Sequence, residues 1–194
     1  KRKDGDVAKA GMDKKARIML TAPTLYDRSL ARWYPLIPLP AQTALVADVV
    51  RFKVVAAGRR SGKTERVKRM VVREAMRTPG VYGFAAPTHS QVKRIFWNDT
   101  KLLSFSAIMP KQPSESELIV YLPNGSEIHH VGLDVPARVE GINWDGMAID
   151  EIADVKETAW HENISPALDT VHPLHPNRKA WAILLGVPEG RGNH

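Results

Sequence analysis

At 194 residues, 43% of them apolar and 25% charged, the chain has the length and balance of one globular domain built on a single core. No run approaches the roughly 18 apolar residues of a membrane-spanning helix, and no signal-peptide pattern opens the chain. Absence of cysteine excludes disulfides and cysteine-ligated zinc or iron, as fits a reducing compartment. The net charge of +7 is uneven: residues 1–17 carry seven Lys/Arg against three Asp, and residues 59–77 carry eight Lys/Arg against two Glu. Clustered positive charge favours a polyanionic partner, although a solvated tail and a solvated helix face account equally well for either cluster alone. The chain opens on Lys1 rather than methionine, as expected of a piece of a longer protein.

Residues 1–22 are polar and basic with little apolar periodicity, and read as a flexible or weakly helical lead-in. Pro35, Pro38 and Pro40 make Trp33 to Pro40 an extended connector, so residues 1–40 precede the folded domain, which occupies 41–194. A short helix fits Ala41 to Val50, and the apolar strand Lys53-Val54-Val55-Ala56 follows. Next come Ala57-Gly58-Arg59-Arg60-Ser61-Gly62-Lys63-Thr64 and a helix from Lys63 to Arg77, ending before Thr78-Pro79-Gly80. Val67, Met70, Val71 and Ala75 form its apolar stripe; Arg66, Arg69, Arg73 and Arg77 fall along another side, as candidates for DNA or subunit contact or for ion pairs within the domain. A strand over Val81 to Ala86 stops at Pro87-Thr88, and an amphipathic helix runs from Ser90 to Leu103. Leu118 to Leu122 and Glu127 to Gly132 form a hairpin around Pro123-Asn124-Gly125-Ser126. Strands over Gly146 to Ile149 and Trp181 to Val187 complete a pattern that predicts an α/β fold with a mainly parallel central sheet flanked by helices. His129 and His130 on the hairpin, and His172 and His175 beside Pro173 and Pro176, are assigned surface and loop roles rather than metal ligation.

An apolar strand, a small-residue loop and Gly-Lys-Thr opening a helix is the pattern of the phosphate-binding P-loop. Loop N–H groups wrap a phosphate and the positive end of the helix points at it. Lys63 supplies an ammonium to the β- and γ-phosphates, and the Thr64 hydroxyl suits Mg²⁺. Ala57 stands where the pattern begins with Gly, a change that is tolerated when its φ is not positive. Gly146-Met147-Ala148-Ile149-Asp150-Glu151 is an apolar strand ending in two acids, with a helix N-cap as the alternative reading of the pair. With the P-loop, Asp150 is expected to hold Mg²⁺ and Glu151 to act as general base on water. A water-activating glutamate implies a P-loop NTPase of the additional-strand, catalytic-glutamate type, hydrolysing ATP, with a further strand between the two motif strands. Val81 to Ala86 is expected to be that strand.

Gly58 to Thr64, Ala86-Pro87-Thr88, Ile149-Asp150-Glu151 and Gly186-Val187-Pro188-Glu189-Gly190, with Pro40-Ala41-Gln42, resemble the ATPase domain of the large terminase subunit, the DNA-packaging motor of tailed bacteriophages. The resemblance spans Pro40 to Gly190. It implies adenine reading by Gln42, a γ-phosphate contact from Arg59, and a coupling motif at Gly186 in which Val187 replaces the usual threonine. Arg138 is implied as a finger into a neighbour's site, although the usual Arg-Gly pair reads Glu140-Gly141 here and a structural salt bridge is the alternative. The binding set is then Gln42, Ala57, Gly58, Arg59, Arg60, Ser61, Gly62, Lys63, Thr64, Asp150 and Gly186; the catalytic set is Glu151, Lys63, Arg59 and Arg138. The resemblance further implies ATP and Mg²⁺ as cofactors. Its partners are double-stranded DNA, the portal protein, the small terminase subunit and neighbours in a homo-oligomeric ring, in the host cytoplasm and without membrane contact. No nuclease activity is expected of this chain. A helicase core half, the nearest rival, usually has His or Asp two residues after Asp-Glu, where this chain has Ala153. A metabolite kinase is disfavoured by the general-base glutamate, and a degenerate DNA-binding module by the presence of Lys63, Thr64, Asp150 and Glu151.

Overall fold

The computed structural model describes residues 28, 31–33, 39–106, 109, 111–169 and 179–188. Six strands form one sheet: β1 (Phe52–Ala56), β2 (Val81–Ala86), β3 (Ile119–Tyr121), β4 (Glu127–Gly132), β5 (Gly146–Ile149) and β6 (Trp181–Gly186). Their spatial order is β1-β6-β5-β2-β4-β3, and every pairing is parallel except the β3–β4 hairpin. This is a mainly parallel α/β sheet with helices against it, as the alternation of elements requires.

The strand expected between the two motif strands is a different one. Val81 to Ala86 lies on the far side of β5, between β5 and β4, and Trp181 to Gly186 separates β1 from β5. Apolar pattern marks a buried parallel strand but carries no information on its neighbours, and the long connection from β5 to β6 permits either placement. Glycine fixes the packing at this point. Gly146 is paired with Trp181, and a Cβ on Gly146 would lie 2.2 Å from the Trp181 ring.

Helix α1 (Pro40–Ala47) starts with proline at its first position, where the missing N–H costs nothing. Helix α2 (Lys63–Arg77) covers the expected residues and buries Val67, Val71, Val72 and Ala75 against the sheet. Each such valine contributes about 1.5–3 kcal/mol of burial. Helical structure also follows β2: α3 (His89–Val92), a π-helical turn over Lys93–Trp97, and α4 (Asn98–Leu103). The π turn carries Phe96, which stacks on Phe84 of β2 with centroids 4.5 Å apart. The opposite face of the sheet packs under Val139, Trp144, Ile164 and Leu168, the last in α5 (Ser165–Asp169).

Of the two readings of the helix arginines, Arg69 takes the ion pair within the domain: it is buried, donating to the backbone and carboxylate of Glu65 and to the Arg32 carbonyl. Other expectations are corrected. His130 is a core residue, not a surface one. It is 3% exposed, with its ring nitrogens bonded to the Leu118 carbonyl (2.8 Å) and the Thr100 hydroxyl (2.9 Å), and burial pushes its pKa down to about 3. Trp33 is helical, donating its indole N–H to the Leu103 carbonyl, and Pro40 already belongs to α1. Residues 34–38, like His172 and His175, lie outside the described residues.

Candidate nucleotide site

Parallel strands all present their carboxyl ends at one edge of a sheet, where loops and helix N-termini converge. Here β1 delivers the loop 57–62, β6 delivers Gly186, β5 delivers Asp150-Glu151, and β2 delivers Pro87-Thr88. Strand β6 brings the coupling segment directly onto the P-loop, since the Ala57 N–H donates to the Gly186 carbonyl at 3.2 Å.

The loop itself depends on two left-handed residues, Arg60 (φ 61°) and Gly62 (φ 75°), which turn the chain into α2. Ala57 is not among the residues with positive φ, so glycine is not required at that position. Gly62 has a second constraint: a Cβ there would lie 2.9 Å from the Gln42 amide nitrogen, which donates to the Ser61 carbonyl at 2.9 Å. Gln42 is thus brought to the P-loop, and its amide oxygen accepts from the Leu39 N–H at 3.4 Å. Gly58, Arg59 and Arg60 are exposed along the loop.

Across the edge, the Thr64 hydroxyl donates to Asp150 Oδ2 at 3.0 Å, and Asp150 Oδ1 accepts the Glu151 N–H at 3.0 Å. Asp150 is buried and Glu151 exposed. Glu151 adopts a left-handed conformation (φ 53°, ψ 47°), which costs a non-glycine residue roughly 1–2 kcal/mol and turns its carboxylate away from the strand line. Gln91, which sequence reasoning missed, donates its amide to Glu151 Oε2 at 3.3 Å and accepts the Thr88 hydroxyl at 2.8 Å. The Pro87-Thr88 stop marked the end of β2, but nothing in the sequence tied Gln91 to a carboxylate sixty residues away.

The site suits a phosphate chain and a hard cation. Among the described residues, Ser61 Oγ is buried without a hydrogen-bond partner, and the Lys63 ammonium donates to the Ala57 carbonyl at 3.2 Å. A hydroxyl and one carboxylate, with no richer group of ligands among the described residues, match Mg²⁺ bound partly by phosphate oxygens rather than an all-protein metal cage. Arg138 stands apart from this constellation. It lies on the 3-10 turn Pro136–Val139 after β4, 48% exposed, 3.6 Å from Asp134, beside a concavity lined by His89, Glu117 and His129. Asp134 is an exposed partner, so this pair adds little stability.

A sheet with a P-loop on one strand, an Asp-Glu pair two strands away and a third strand between them defines a P-loop NTPase fold of the additional-strand type. No family model matches the chain. The large terminase subunit of Thermus phage G20c is 27% identical over 172 residues, 79% of this chain and 34% of that protein, so the chain spans about a third of the length of this relative. Among solved structures, the ATPase domain of the Thermus phage P74-26 large terminase superposes with a TM-score of 0.64 at 24% identity, covering 87% of this chain and 70% of that one. The large terminase of the thermophilic bacteriophage D6E in complex with ATP-γ-S gives 0.54 at 18% identity, covering 84% of this chain and 37% of that one. The resemblance carried by the motifs is therefore matched by aligned sequence and by a shared fold.

Proposed function

We propose that this chain is the ATPase domain of a large terminase, hydrolysing ATP to drive double-stranded viral DNA into a procapsid. The observation that carries the reading is the Thr64–Asp150 hydrogen bond, which joins the P-loop helix to the acid pair across the intervening β6. In this reading the ATPase domain comprises 41–194 together with Pro40 of α1 and the packed residues Arg32 and Trp33, which bond Asp99 and the Leu103 carbonyl. The backbone of Ala57 to Gly62 cradles the phosphates, with Lys63 and Arg59 on their terminal oxygens. Thr64 and Asp150 hold Mg²⁺, which when bound neutralises charge on the β- and γ-phosphates. Glu151 takes the proton of the attacking water, with Gln91 orienting its carboxylate. Gln42, which bonds the Ser61 carbonyl of the P-loop, would read adenine, and Gly186, which accepts from the Ala57 N–H, would couple the phosphate state to the sheet.

The nucleotide role has support from one neighbour in fold, the D6E large terminase, which was solved in complex with ATP-γ-S. DNA, the portal protein, the small terminase subunit and neighbouring copies in a ring are the proposed partners, in the host cytoplasm. No helix among the described residues is long and apolar enough to cross a membrane. The P-loop helix retains Arg73 and Arg77 as exposed cations for a polyanion, Arg77 being 3.1 Å from Glu74. Calorimetry with Mg-ATP and a phosphate-release assay with and without DNA test the proposal. Lys63→Ala should weaken ATP binding and abolish turnover. Unchanged ATP affinity in that variant overturns the site assignment.

A further inference from the structure

Thr88, just past the end of β2, carries a hydroxyl with a single proton, and its hydrogen bonds fix where that proton goes. The oxygen accepts the Gln91 N–H at 3.2 Å, capping α3, and the proton passes to the Gln91 amide oxygen at 2.8 Å. Ser90 Oγ lies 3.1 Å from the same hydroxyl and, with that proton committed, is the donor of the pair. A primary amide whose oxygen is held in this way presents its NH2 group on the other side. That group donates to Glu151 Oε2 at 3.3 Å. Among the described residues no other side chain bonds the Glu151 carboxylate.

The support under this relay is close-packed. Thr88 and Gln91 are partly buried, and Val92, next along α3, is fully buried. The start of α3 sits so near β4 that a Cβ on Gly132 would lie 2.2 Å from the His89 backbone nitrogen. The Glu151 backbone is fixed too, left-handed and bonded through its N–H to Asp150. Its carboxylate, by contrast, is exposed and hangs on three side-chain torsions, so its direction depends on a partner. A donor on Oε2 supplies that direction and leaves Oε1 to take the proton of water.

We propose that Thr88 is a positioning residue for ATP hydrolysis: its hydroxyl sets which end of the Gln91 amide faces Glu151, and so aims the base at the attacking water. The inference rests on the reading of Glu151 as general base. With the amide reversed, its oxygen would face the carboxylate, and two acceptors would repel each other. Among the described residues no hydrogen bond joins Thr88 or Gln91 to the P-loop, Thr64 or Asp150. The relay therefore acts on turnover and not on nucleotide affinity.

The test measures phosphate release and calorimetric Mg-ATP affinity in Thr88→Val, Thr88→Ser, Thr88→Asp and Gln91→Ala, at a protein concentration that gives the parent its full activity. Each Thr88 change is also made in the Gln91→Ala background. Thr88→Val should lower kcat by about 10- to 100-fold, the scale for a catalytic group misplaced by up to about 1 Å, with Mg-ATP affinity unchanged. Thr88→Ser keeps the hydroxyl and should recover most of the rate. Thr88→Asp keeps an acceptor for the Gln91 N–H, so α3 stays capped and the protein should melt with the parent. An acidic oxygen repels the amide oxygen, however, so this variant should lose kcat as Thr88→Val does. In the Gln91→Ala background the hydroxyl has nothing to orient. All three Thr88 changes should then leave kcat where Gln91→Ala alone puts it, which also controls for the added charge. Parental kcat in Thr88→Asp would reduce Thr88 to a helix cap and overturn the proposal, as would losses that multiply in the double variants. Parental turnover in Glu151→Gln would refute the base and the relay together. A slow Glu151→Gln beside a fully active Gln91→Ala would refute the relay and leave the base standing.

Discussion

Replacing Glu151 by glutamine isolates the chemistry of one atom pair, because little else at that position changes. The side chain is exposed, and its backbone stays left-handed, at the same cost of roughly 1–2 kcal/mol for Gln as for Glu. The Glu151 N–H bond to Asp150 is made by the backbone and persists. Gln91 can still donate to a carboxamide oxygen at that site. What disappears is the ability to accept the proton of the attacking water. A positioned general base contributes about 10²–10⁴ in rate, equivalent to roughly 3–5 kcal/mol in the barrier. The variant should therefore bind Mg-ATP with parental affinity in calorimetry, melt within a degree or so of the parent, and release phosphate at least about 10² times more slowly. Glu151→Gly provides the companion measurement: relief of left-handed strain should stabilise the fold or leave it unchanged, while activity is lost just as completely. Turnover in Glu151→Gln at the parental rate would mean that the base lies elsewhere and would refute the reasoning.

Arg138, exposed and paired with Asp134 alone among the described residues, should act from outside its own site. Specific activity should then rise with protein concentration, and Arg138→Ala should remove that rise, a missing arginine finger costing roughly 10³–10⁵ in rate; fast turnover by a demonstrated monomer would eliminate the finger. Gly146→Ala should destabilise the fold by roughly 1–3 kcal/mol in urea melts, because the new methyl would overlap the Trp181 ring and force it off β5; an unchanged midpoint would contradict the close packing of this pair. Acid stability should have two limbs. His130, depressed by burial to about 3 from an ordinary 6.5, stays neutral in the fold while the unfolded chain takes up a proton, so stability should fall as pH drops from 6.5 towards 3; His130→Gln should flatten that limb by about 1.4 kcal/mol per pH unit. Burial pushes the Asp99 carboxyl up, but hydrogen bonds from Arg32 and Lys68 outweigh it and hold it at about 2, so its contribution is present above about 3.8 and is lost as pH falls through 2. Asp99→Asn should remove this second limb, and an unaltered acid transition would contradict the ion-pair network.

The motifs and most of the elements could be read from the chain alone because each depends on local chemistry. Gly62-Lys63-Thr64 opens α2 where expected, since a loop that wraps a phosphate needs small residues and a helix start at fixed spacing. The 3.6-residue period of Val67 and Val71 placed the core face of that helix, and Asn124-Gly125 marked the hairpin. Asp150-Glu151 was legible because an apolar run ending in acids describes the carboxyl end of a buried parallel strand. Tertiary structure decided what no period encodes. It put β6 rather than β2 between the motif strands, because parallel order depends on which faces pack, here Trp181 over Gly146. It also turned half of an apparently basic helix face inward, burying Arg69 and Lys68 against Glu65 and Asp99 while leaving Arg66 without an acid. Charge is a property of sequence, but its partner is set by the fold: a stripe of arginines at helical spacing looks the same whether solvent, a carboxylate or a phosphate lies opposite it.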